Sequence, residues 1–170
     1  MTPGDLILTP RGVRFMGRYF PCSIGKGGIS ANKREGDGAT PTGIHKIVGG
    51  FYRPDRIAPP RTALPMMPLR LNDLWSDDVK DAEYNHLVNG HNYSFSHEKL
   101  RRADPLYDLV LVTSWNWPCA TPGKGSAIFI HEWRRPGYGT EGCVAFSRTD
   151  LHYIVENLRP GARLIVPDQP

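Results

Sequence analysis

The sequence predicts a mainly β domain with one helix packed on its sheet, and three observations carry that prediction. Eighteen glycines and 16 prolines make up a fifth of the 170 residues, against about 12% in an average chain. The longest uninterrupted apolar runs are four residues, as at 109–112 and 127–130, the length of a short strand. One segment alone repeats its apolar residues with a helical period. This excludes a helical bundle or a coiled coil. A 39% hydrophobic content with 4 Trp, 7 Tyr and 6 Phe excludes intrinsic disorder, which needs few aromatics and a strongly one-signed charge. The length suits one domain spanning 1–170.

The elements follow in order. Residues 6–9, a Pro10-Arg11-Gly12 turn, residues 13–16, Gly17 and residues 19–24 read as short strands bounded by Gly or Pro. Gly25-Lys26-Gly27-Gly28 ends that region. Residues 32–43 are polar and Gly-rich up to Thr40-Pro41-Thr42-Gly43, after which 44–48 alternates as a strand does. The stretch 51–104 is rich in Pro, Arg and Asp and has little period of either kind. It reads as a long irregular insertion or lid, since loops of that length are uncommon in compact domains and are often functional. Residues 107–113 and 126–131 are near-continuous apolar runs that predict buried strands in the middle of the sheet. Ser147 then stands as an N-cap with Asp150 three residues on. Leu151, Ile154, Val155 and Leu158 fall on one helix face, and Pro160-Gly161 stops the helix. Residues 163–166 close with a final strand.

Twenty-one basic and 17 acidic side chains give a net charge of +4, spread rather than clustered. Arg101-Arg102 and Arg134-Arg135 are the only Arg pairs, so nucleic acid is not the expected partner. An anionic small or polymeric substrate suits this surface. No apolar run approaches the ~20 residues of a membrane helix. The first residues, Met-Thr-Pro-Gly-Asp followed by three apolar positions, show no export signal.

Three cysteines leave at least one thiol unpaired within the chain. Cys22 reads as a small buried hydrophobe, and Cys119 as a loop residue with no base beside it. Cys143 differs. It lies in Tyr138-Gly139-Thr140-Glu141-Gly142-Cys143-Val144, where a glycine before the cysteine lets the backbone turn sharply and bring successive N–H groups into one small volume, as an oxyanion site requires. A thiol of pKa about 8.5 is mostly protonated at neutral pH and needs a base, most often His. His131, at the end of an apolar strand with 11 residues between it and Cys143, is the candidate. A structural His at a strand end beside a buried Cys is the alternative.

These residues also carry a resemblance. Ile130-His131, then Thr140-Glu141-Gly142-Cys143-Val144, downstream of Gly25-Lys26 and Thr40-Pro41-Thr42-Gly43, resembles the L,D-transpeptidase catalytic domain of the YkuD type over roughly residues 5–167. The resemblance implies a β-sandwich or barrel-like fold and an acyltransferase of peptidoglycan with no cofactor and no metal. Cys143 would attack the L-centre carbonyl of meso-diaminopimelate in a tetrapeptide stem, releasing D-Ala. His131 would carry the proton, and the N–H groups of Gly142 and Cys143 would hold the oxyanion. The thioester would pass to a diaminopimelate amine of another stem, giving a 3–3 crosslink. The implied setting is cell-wall biogenesis and cell shape, in the periplasm or cell envelope, with covalent inhibition by carbapenems.

This chain departs from the family motif in two places. Glu141 replaces its second His, and Ala145 stands where an Arg or Asn is usual. Contact with a substrate carboxylate then falls to Arg148 or to Arg134 and Arg135. Thr140, Glu141, Tyr138 and Trp115 complete the expected substrate-binding set. An L,D-carboxypeptidase or an amidase using the same dyad, and a non-catalytic peptidoglycan-binding module, are the alternative functions.

The remaining candidates have plainer readings. His86, His91 and His97 lack the tight pairing of a zinc site, and His97-Glu98 is expected to order the insertion. His45 is expected at an exposed strand position and His152 on the solvent face of the helix. Gly25-Lys26-Gly27-Gly28 is not followed by the pattern of a phosphate-binding loop. Asp104, Asp108 and Glu132 are too scattered for paired glycosidase acids. Trp115 and Trp117 could cap the core or line a groove. An oxidising compartment would permit a Cys22–Cys119 disulfide.

Overall fold

The computed structural model describes residues 2–168. Its elements run β1 (Leu6–Thr9), β2 (Gly12–Phe15), β3 (Arg18–Phe20), β4 (Cys22–Ser23), β5 (Ile29–Ser30), β6 (Thr40–Pro41), β7 (Gly43–Tyr52) and β8 (Met66–Pro68). They continue with β9 (Asp73–Ser76), β10 (Leu87–Asn89), β11 (His97–Lys99), β12 (Leu109–Thr113), β13 (Phe129–Glu132), β14 (Val144–Phe146), α1 (Arg148–Asn157) and β15 (Arg163–Val166).

Nine strands pair in the order β3-β2-β1-β15-β7-β12-β13-β14-β4, with β8 branching from β7. The two ends of this path, β3 and β4, are separated in the chain by Pro21 alone. That continuity forces the sheet to curl into a nearly closed, barrel-like form. Gly12 permits the close return: a Cβ there would lie 2.3 Å from the Phe20 carbonyl oxygen. The sheet is mixed. β1 pairs with β15, β13 with β14 and β7 with β8 in parallel, and the other pairs of the path are antiparallel.

The unbroken apolar runs are explained by burial on both faces. In β12, Leu109 and Leu111 point into one core with Phe15, Ile130, Phe146 and the helix residues Leu151, Ile154 and Val155. Val110 and Val112 point into a second core with Phe51, Trp75, Phe129 and Cys143. Each fully buried aliphatic side chain contributes about 2 kcal/mol. The helix starts as its sequence dictates, with the Ser147 side chain accepting from the Asp150 N–H at 3.1 Å. Asp150 also accepts from the Ser147 hydroxyl at 2.8 Å.

The stretch 51–104 begins by completing β7 and also holds β8 and a separate three-stranded sheet, β10-β9-β11. These strands have three or four residues and mixed polarity, too short to print a period on the sequence. The small sheet packs on the second core: the Trp75 ring meets the edge of Phe129 at 5.0 Å and of Phe51 at 6.4 Å.

Several single-residue expectations are corrected. His45 is buried, because the loop after β12 covers that part of β7; its Nε2 lies 3.1 Å from the Pro41 carbonyl and its ring meets the edge of Trp115. Burial depresses its pKa. His152 is half-buried, with an Nε2 that finds no partner among the described residues. All three cysteines are free, so Cys22 and Cys119 are not bridged. Cys22 is half-buried, and desolvation pushes its thiol up to about 11.

Candidate functional site

The parallel pairing of β13 with β14 sets Cys143 on the strand next to His131. Ile130 lies opposite Val144 and His131 opposite Ala145, so Cys143 enters β14 one residue before this ladder. Both side chains line one cavity of about 780 Å³.

The turn ahead of Cys143 is held by the two upstream motifs. Thr40 Oγ1 donates to the Gly142 carbonyl at 2.8 Å and accepts from the Gly25 N–H at 2.9 Å. Lys26 N–H donates to the Thr140 carbonyl at 2.8 Å, and Thr140 N–H to the Ile24 carbonyl at 2.9 Å. Gly142 has φ +133°, and a Cβ there would stand 2.8 Å from the Ala39 carbonyl oxygen and 3.0 Å from Ile128. Gly142→Ala is expected to cost about 2 kcal/mol or more through backbone strain and this clash, read as a lowered denaturation midpoint.

The thiol sits between two backbone groups. Cys143 Sγ donates to the Ala127 carbonyl at 3.2 Å and accepts from the Phe129 N–H at 3.3 Å. Burial, reinforced by the negative charge of Glu98, pushes the thiol up to about 12. His131 Nδ1 lies 2.7 Å from the Glu132 carbonyl. A carbonyl only accepts, so Nδ1 carries the proton and Nε2 keeps its lone pair. Burial depresses the imidazole to about 4. Between those values the pair rests as neutral thiol and neutral imidazole.

The wall beside His131 is built by residues that the sequence did not place at the site. Tyr107 meets the His131 ring edge-on at 5.1 Å, and its hydroxyl donates to Glu98 Oε1 at 2.5 Å. Burial raises both the Tyr107 and Glu98 pKa values. Arg102 stands 3.7 Å from Glu98 and pairs closely with Asp104. In sequence His97-Glu98, Arg101-Arg102 and Asp104 are separate features, and nothing in their spacing brings them together beside His131.

Of the expected substrate-binding residues, Arg134, Tyr138, Thr140 and Glu141 line the cavity. Arg135, Arg148 and Trp115 do not. Arg135 stacks its guanidinium over Tyr138. Arg148 turns back to Glu132 at 3.2 Å and Asp108 at 3.4 Å, and Trp115 donates to the Lys124 carbonyl. The Gly142 N–H, expected at an oxyanion, instead donates to Thr140 Oγ1 at 3.1 Å. Glu141 forms a surface pair with Lys26 Nζ at 2.6 Å.

No curated protein and no solved structure matches the chain at a significant level. The family model for the L,D-transpeptidase catalytic domain, YkuD, matches residues 9–166, which contain both motifs, the Gly142 turn, Cys143 and His131. With that match over nearly its whole length, the chain belongs to the YkuD family of L,D-transpeptidase catalytic domains, cysteine-dependent enzymes of peptidoglycan metabolism.

Proposed function

We propose that the protein is an acyltransferase that forms 3–3 crosslinks between peptidoglycan stems, with Cys143 as nucleophile and His131 as general base. The observation that carries this reading is the lining of one cavity by a pinned thiol and by an imidazole whose Nε2 is free to take a proton. Cys143 Sγ attacks the L-centre carbonyl of diaminopimelate in the donor stem as its proton passes to His131 Nε2. His131 then gives that proton to the departing D-Ala amine, leaving a thioester. A diaminopimelate amine of a second stem displaces the thiolate, and the amine's proton returns by the same imidazole.

A neutral resting pair puts the cost of charge separation into the encounter with substrate, which shields the cleft as the thiolate forms. The Cys143 N–H is the oxyanion donor in this reading; the Gly142 N–H serves only if it leaves Thr140 Oγ1. Arg134, Tyr138, Thr140 and Glu141 are the substrate contacts in this reading. Residues 1–170 act as one catalytic domain with 51–104 as an insertion beside the cleft, working in the cell envelope.

Incubation with purified muropeptides tests the assignment. Crosslinked dimers with D-Ala release, read by mass spectrometry, are expected. Shortened stems without dimers would make the enzyme a carboxypeptidase, and binding without turnover would make it a peptidoglycan-binding module.

A further inference from the structure

Asn85 lies in the small sheet region, far in sequence from Cys143, and is 2% exposed. All four hydrogen-bonding positions of its side chain are used. Oδ1 accepts from Trp75 Nε1 and from the Ala127 N–H, both at 2.9 Å. Nδ2 donates to the Trp115 carbonyl at 3.1 Å and to the Asn116 carbonyl at 2.7 Å. Its own backbone is left-handed, φ +59°, which Asn tolerates better than most residues.

The Ala127 backbone held by this amide is itself unusual. Ala127 has φ +51°, a conformation an L-residue with a Cβ adopts only when its surroundings impose it. Its N–H points to Asn85, and its carbonyl takes the Cys143 S–H. The neighbouring Tyr84 hydroxyl accepts from the Gly125 N–H at 3.1 Å, so residues 84 and 85 together tie down the segment leading to β13.

We infer that Asn85 is a positioning residue for the nucleophile: by holding the Ala127 N–H it fixes the Ala127 backbone and so aims the carbonyl, on the other side of the Ala127 Cα, that holds the Cys143 S–H in the cleft. Its importance for turnover rests on the reading of Cys143 as nucleophile; the placement of the thiol does not. An acceptor on the S–H favours the protonated form, so releasing Ala127 makes the thiol more acidic while removing its orientation.

The test is the rate of Cys143 alkylation by iodoacetamide against pH, followed on the Cys143 peptide by mass spectrometry, with thermal midpoints measured alongside. Asn85→Gly suits the left-handed backbone and removes every side-chain bond. It is expected to alkylate about tenfold faster at neutral pH, with the profile shifted down by about one unit, yet to form product from muropeptides more slowly. Trp75→Phe removes a different partner of Asn85 and leaves the Ala127 contact, so it should keep the wild-type profile. Asn85→Asp keeps an acceptor for the Ala127 N–H and should react no faster than wild type despite a lower midpoint. Reactivity that simply tracks the midpoint across the three variants, or an unchanged N85G, overturns the inference. Should N85G not fold, N85D decides alone: faster alkylation overturns the inference, and wild-type or slower alkylation on a lowered midpoint supports it. Failure of the muropeptide assay with the alkylation pattern intact would count against the proposed reaction and leave the positioning role standing.

Discussion

Cys143→Ser is expected to leave a folded protein that forms no acyl-enzyme and loses at least about 10³-fold of its product formation. The fold survives because a hydroxyl can take over both contacts of the thiol, donating to Ala127 and accepting from Phe129. The reaction does not, because a serine hydroxyl is far less acidic than a thiol in the same desolvated place, and His131, depressed to about 4, is a weak base for it. Intact mass after exposure to a carbapenem provides the check. A covalent adduct is expected on wild type and none on C143S, and an adduct that persists on the variant would remove Cys143 from the nucleophile's role.

The second large effect is on stability against pH, and it sets two neighbours against each other. His131 falls from its ordinary 6.5 to about 4 because it is buried. The native state therefore binds fewer protons than the unfolded chain in that window, and stability present above pH 6.5 is lost as the pH falls to 4. Glu132 rises from 4.5 to about 7, also through burial, with Arg148 opposing. Its contribution is present below pH 4.5 and is lost as the pH rises through 7. Each shift corresponds to about 3 kcal/mol, with opposite sign over nearly the same range. Glu132→Gln is expected to expose the His131 term, so that stability relative to wild type drops by about 3 kcal/mol between pH 7 and 4.5. His131→Gln should show the mirror image, a relative gain on acidification. Urea denaturation across this range measures both, and profiles parallel to wild type would contradict the burial of the two groups.

What the sequence revealed depended on how local the cause was. The strands at 6–9 and 163–166, the apolar runs at 109–112 and 127–130, and the helix behind Ser147 were legible because each carries its signal within a few residues: a turn, a period or a cap. Cys143 and His131 stood out as candidates because Gly142 and a strand end mark them, while the plainer reading of both was set aside only by the resemblance to the family motif. The three strands at 73–99 were hidden, since β9 holds only four residues and β10 and β11 three each. Arg148 looked like a free cation because nothing near it in sequence announces that Glu132 and Asp108 lie against it. His45 looked exposed because its cover comes from residue 115, seventy positions on. Asn85 left no trace at all, its partners being Trp75, Trp115, Asn116 and Ala127.

The place of β15 in the sheet sets an order on biosynthesis. It lies between β1 and β7, pairing Leu6 with Leu164 and His45 with the same residue from the other side. A nascent chain that has released everything up to the helix still has two open strand edges where β15 will go, and open edges recruit other chains. Within this sheet β1 is made first and pairs at once with β2, yet it waits for β15, the last strand of the sheet, before it gains its second neighbour. Folding of this sheet is consequently governed by long-range closure, slow by the standards of local topologies, and the interval before residues 163–166 arrive is when a chaperone holding the β1–β2 hairpin has the most to protect.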